Sequence, residues 1–224
     1  MPGGEESSPS DAQENATNEP RSAPRSSGIA TGRTLLRVEL APIVFDSPDS
    51  DKTLEPILGS VELCLTPELR ARQWNVASHP FRIDLGGTAS LNVERMTKST
   101  FSDVTVELSR DCPTALEIPT LDVRIRSANR DPYWSVEGGQ QHTAITVEVT
   151  FWNAEGEQVW KHNERGESIA RPEPALALSL SGLTSRRHHH AAREFGKALE
   201  AALTKLRASI LQSKKVRSLY SNQP

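Results

Sequence analysis

The chain has 224 residues, a hydrophobic fraction of 36%, a formal charge of -3 and a pI of about 6.1. That length suits one domain with tails, and the low apolar fraction points to ends that do not fold. The weak negative charge supplies no global field for nucleic acid, and no apolar run approaches the roughly 20 residues needed to span a bilayer.

In chain order, residues 1–32 are mostly Ser, Pro, Gly, Glu, Asn and Ala, with Ile29 as the one large aliphatic after Met1. Burial cannot offset the ordering entropy of such a segment, which predicts a disordered, acidic leader. A domain is expected over residues 33–211 and a polar, basic tail over 212–224. Leu36, Val38 and Leu40 alternate with Arg37 and Glu39 as a first strand. Val61–Leu65 (VELCL) reads as a second strand, and Pro67–Arg70 as one helical turn. After Gly86-Gly87, the spacing of Ala89, Val93 and Met96 predicts a helix from Thr88. Val104, Val106 and Leu108 form the next alternating run, and Leu121, Val123 and Ile125 the one after it.

The clearest stretch runs from His142 to His162. Ile145, Val147, Val149 and Phe151 alternate with Thr146, Glu148, Thr150 and Trp152, and Asn153-Ala154-Glu155-Gly156 supplies a turn before Gln158-Val159-Trp160. Extended character is expected to about Ala170, ended by Arg171-Pro172-Glu173-Pro174. A helix is predicted over residues 185–211, with Thr184 or Ser185 as N-cap and Phe195, Leu199, Ala202, Leu203, Leu206 and Ile210 as its apolar stripe. The economical solution is an α+β fold, an antiparallel sheet with two amphipathic helices packed on one face.

No nucleophile elbow, Walker-type loop or His-Glu-x-x-His is present, so the expectation is a binding module without catalytic residues or cofactor. Tyr133, Trp134, Trp152 and Trp160 around the hairpin are candidate partner-binding residues, aromatics being common where a large area meets a polar handle. Arg186, Arg187, His188, His189 and His190 at the start of the last helix are a second candidate patch. His190 and Glu194 have a two-ligand helical spacing, but no third ligand is evident and no metal is expected. Cys64 and Cys112 lack metal-site spacing. Two buried free thiols are the ordinary reading, and one long-loop bridge is open to them in an oxidising compartment.

FRIDLGGTASLNVERMTKSTFSDVTVEL, AITVEVTFWNAEGEQVW and GKALEAALTKLRASI, in that order, resemble segments of bacterial envelope lipoproteins. The group includes YajG-like lipoproteins, LptE and auxiliary lipoproteins of ABC transporters. The resemblance implies a module on the periplasmic side of the outer membrane that serves transport or surface assembly. Its partner would be a protein or a lipid-linked molecule of the envelope. Such proteins begin with a leader ending in a lipid-modified cysteine, which Cys64, inside a strand pattern, does not match. The envelope is therefore expected if a leader precedes these residues and the cytoplasm otherwise, where the alternative is an intracellular scaffold or adaptor with a regulatory leader.

Overall fold

The computed structural model describes residues 36–39, 55–75, 81–109, 112, 117–131, 140–171 and 180–221. The expected leader lies outside them. The fold is α+β. Five strands form the main sheet in the order β5 (Phe101–Glu107), β2 (Ile57–Cys64), β6 (Thr120–Arg130), β7 (Gln141–Trp152), β8 (Gln158–Ala170). From β6 to β8 the sheet is the expected antiparallel meander. Asn153 Oδ1 accepts from the Glu157 amide at 2.7 Å and Gly156 takes φ 77°, which closes the β7–β8 turn without a Cβ penalty.

Beyond the meander the sheet is mixed, because β2 runs parallel to both β5 and β6. Parallel neighbours require a crossover, and the connection from β2 to β5 contains helix α2 (Gly86–Lys98). The β5-to-β6 connection contains Cys112, which is bonded to Cys64 at the end of β2, with Cα atoms 6.2 Å apart. The free-thiol reading is thereby corrected.

The run at Leu36 does not join that sheet. β1 (Leu36–Glu39), β4 (Phe81–Asp84) and β3 (Gln73–Asn75) form a separate three-stranded sheet in the order β1-β4-β3. β3, at three residues, is too short to show a period in sequence, and tertiary packing secures it: Trp74 lies with its ring centroid 4.8 Å from that of Phe195.

The long helix α3 spans Leu180–Gln212, so Thr184 and Ser185 lie inside it rather than capping it. Its stripe of Phe195, Leu199, Leu203, Leu206 and Ile210 is fully buried with Ile145, Val147, Val149 and Phe151 of β7 and Leu121 and Val123 of β6. Ala89, Val93 and Met96 of α2 complete the core. β8 approaches α3 so closely that a Cβ on Gly166 would strike the Ala198 carbonyl oxygen and the Ala202 amide nitrogen.

The expected tail is corrected too. Ser213 caps a short helix α4 (Lys214–Ser218), accepting from the Val216 amide at 3.3 Å. Val216 and Tyr220 are buried, and the Tyr220 hydroxyl donates to the Ser60 carbonyl at 3.2 Å. The cations at Lys214, Lys215 and Arg217 mask an apolar pair at helical spacing, Val216 and Tyr220, which secures the end of the chain.

Candidate functional site

Alternation in the meander fixes which residues share a face. Phe151 pairs with Trp160 across β7 and β8, whereas Trp152 pairs with Gln158. Trp160 therefore lies on the helix-covered face, stacked on His162 with ring centroids 5.3 Å apart, and Trp152 lies on the other face. The two half-buried tryptophans do not line one groove. Tyr133 and Trp134 lie outside the described residues.

The open face of the sheet is polar, as the alternation implied, yet far from fully hydrated. Glu148 and Thr150 are each 6% exposed and Asp122 is 3% exposed. Glu148 accepts from Arg126 and lies 3.2 Å from Lys161 Nζ, and Asp122 accepts from Arg124 Nε at 2.8 Å. The Arg126 hydrogen bond, aided by Lys161 and opposed by burial, holds the Glu148 carboxyl below its usual range. Burial pushes Asp122 the other way, above its usual value, against the opposing pull of Arg124.

A second polar cluster lies on the helix-covered face, where an apolar core would be ordinary. Arg130 pairs with Thr143 across β6 and β7, and Thr143 pairs with Ser168 across β7 and β8. The three form one row across the sheet, at its rim: Arg130 ends β6 and Gln141 begins β7. α3 sets His190 and Glu194, 8% and 2% exposed, against this row. Their i, i+4 spacing places both on one helix face.

The row is tightly bonded. Arg130 Nη2 donates to Gln141 Oε1 at 2.6 Å and approaches His190 Nδ1 at 3.4 Å. Gln141 is itself held, its Nε2 donating to the Asp131 carbonyl at 2.8 Å. The Ser168 hydroxyl donates to Glu194 Oε2, and Lys197 Nζ and Arg193 Nε lie 3.3 and 3.4 Å from Glu194 Oε1. Burial alone would raise the Glu194 pKa, but the Ser168 hydrogen bond and the charges of Lys197 and His190 outweigh it and hold the carboxyl low. Burial lowers the Arg130 pKa, and the field of Glu194 opposes that in part. Two buried polar atoms in the row have no partner, Arg130 Nε and Thr143 Oγ1.

The expected histidine patch is thus divided. His190 is buried against Arg130, and His189 beside it is exposed. Arg186, Arg187 and His188 lie in α3, with side chains outside the described set. Among the described residues no group of three or more His, Cys, Asp or Glu side chains could hold a metal ion. Sequence reading missed Arg130, Gln141, Thr143 and Ser168. The available signal was Thr143 and Glu194 interrupting apolar faces that the alternation of β7 and the helical stripe assign to the core, whereas β8 has no apolar alternation to single out Ser168.

No helix among the described residues is long and apolar enough to cross a membrane. No protein-family model matches the chain, and no curated protein does either. Among solved structures, the chain is similar to several bacterial lipoproteins. One is lipoprotein B of Nitrosomonas europaea, at 9% identity and TM-score 0.38, covering 73% of this chain and 91% of that one. Rare lipoprotein B of Shewanella oneidensis is 12% identical with TM-score 0.36, covering 67% and 96%. A Neisseria meningitidis lipoprotein is 10% identical with TM-score 0.30, covering 59% and 97%.

Proposed function

We propose that the protein is a non-enzymatic binding module of the bacterial cell envelope, acting on the periplasmic side of the outer membrane in transport or surface assembly. The observation that carries the location is the Cys64–Cys112 bond, which joins β2 to the connection before β6 across 48 residues. Such bonds persist in oxidising compartments and are rare in the cytosol. The binding role draws on the rim where α3 meets the sheet. There a bonded polar row replaces apolar packing, beside the exposed His189 and the neighbouring Arg186, Arg187 and His188. The chemistry present there suits recognition. Ser168 and Glu194 are both buried and the carboxyl is held low, which makes it a weak base for the hydroxyl beside it.

The test is fractionation of the natural host, with the N-terminus and the thiol state read by mass spectrometry. Recovery with the envelope, Cys64 and Cys112 bridged, is the expected result. Recovery in the cytosol with two free thiols would overturn the reading in favour of an intracellular scaffold.

A further inference from the structure

The row at the rim contains a cation held by neutral groups. Arg130 is mostly withdrawn from water, and its Nη2 contacts are the Gln141 amide oxygen and the His190 ring. Among the described residues no carboxylate forms an ion pair with it; Glu194, the acid whose field it feels, is engaged by Ser168, Lys197 and Arg193. A buried guanidinium ordinarily has an anionic partner, and its planar donor fork matches carboxylate and phosphate oxygens.

Two further donors stand beside it. Thr143, the cross-strand neighbour of Arg130, is 1% exposed with its hydroxyl unpartnered, as is Arg130 Nε. His190 Nδ1 faces Arg130 Nη2 at 3.4 Å, and accepting there would leave the other ring nitrogen, Nε2, as the donor. Among the described residues the local charges are Arg130, Arg193 and Lys197 against Glu194 and Asp131, a surplus of one cation. Gln141, pinned by the Asp131 carbonyl, orients the guanidinium before any ligand arrives.

We propose that this rim is an oxyanion-binding site, in which Arg130, Thr143 and His190 receive the phosphate or carboxylate group of a ligand. The proposal deepens the binding role proposed above by assigning its ligand chemistry. It is tested on purified protein, so its failure leaves the envelope location untouched, and a cytosolic location would leave this site standing.

The experiment is thermal unfolding and titration calorimetry of the full chain with inorganic phosphate, then with acetate, at constant ionic strength. Saturable binding with a matching rise in Tm is expected. Arg130→Gln should abolish both, and Thr143→Val, which keeps shape and removes the donor, should weaken affinity roughly tenfold. A wild type that responds to neither anion overturns the proposal. It falls equally if Arg130→Gln binds as the wild type does. Should Arg130→Gln fail to fold, unchanged affinity in Thr143→Val overturns the site by itself. Phosphatidylcholine vesicles with and without phosphatidylglycerol then identify the source. Phosphate-competed sedimentation with the anionic vesicles assigns the site to a lipid headgroup, and binding of free anion alone assigns it to a soluble ligand.

Discussion

The same helix meets the same sheet in two different ways. Over its C-terminal half, α3 sets Ala198, Leu199, Ala202, Leu203, Leu206 and Ile210 into the core with Ile145, Val147, Val149 and Phe151 of β7, and Gly166 lets the backbones touch. One or two turns toward its N-terminus, His190 and Glu194 face Arg130, Gln141, Thr143 and Ser168. The apolar half gains from the burial of close-packed surface. The polar half gains little net stability from its hydrogen bonds, since the same groups bond water when unfolded. A stretch of interface that stabilises weakly yet holds its groups in fixed geometry suits the binding role proposed for it.

The division breaks if the two halves respond alike to substitution. Leu203→Ala, which opens a cavity where exposure is 0%, should cost about 3–4 kcal/mol in urea unfolding while leaving anion affinity unchanged. Gly166→Ala drives a methyl into the backbone of α3 and should cost about 2 kcal/mol, with the helix displaced from β8. Equal or greater losses from substitutions at the rim would end the comparison.

At the rim itself, Ser168→Ala leaves the buried Glu194 carboxylate without its hydroxyl donor and should cost about 1.5 kcal/mol at neutral pH. The folded-state pKa of Glu194 is lowered, so its contribution is present above the unfolded carboxylate pKa and lost as pH falls through the folded value. The gap between wild type and Ser168→Ala should therefore close in acid. A gap independent of pH would mean that the serine acts by packing alone.

How much of this was legible in the residues follows from period and length. The β7–β8 hairpin and the stripe of α3 were legible because many turns or alternations repeat one signal, as from Ile145 to Phe151 and from Phe195 to Ile210. The parallel placement of β2 was not, since VELCL reads the same beside either neighbour and the crossover through α2 decides it. β3, at three residues, is too short to carry a period. The rim was half legible. His190 and Glu194 stood out as metal-like spacing, but their partners Arg130, Gln141 and Thr143 come from strands 50 or so residues away, and register across β6 and β7 brings them together. Trp152 and Trp160 look like neighbours in sequence, but Trp160 pairs with Phe151, and the alternation of Phe151 with Trp152 sets the two tryptophans on opposite faces.

The smallest expected effect lies on the open face, which supplies a control for the rim. Glu148→Gln removes an ion pair whose partners Arg126 and Lys161 are 49% and 42% exposed, so solvent screening should limit the loss to about 0.5 kcal/mol. Its folded pKa is lowered, so that contribution is present above the ordinary glutamate range and disappears as pH falls through the folded value. Asp122, on the same face, has the opposite sign. Its raised pKa makes its contribution greatest below the unfolded value, and it declines as pH rises through the folded one. The two carboxylates therefore act in opposite directions over the acid range. Removing Glu148 should change the acid limb of the wild-type profile less than Ser168→Ala does, because its exposed partners are screened by solvent. If Glu148→Gln reshapes it more, the open face is the electrostatically organised surface, and the search for a ligand belongs there.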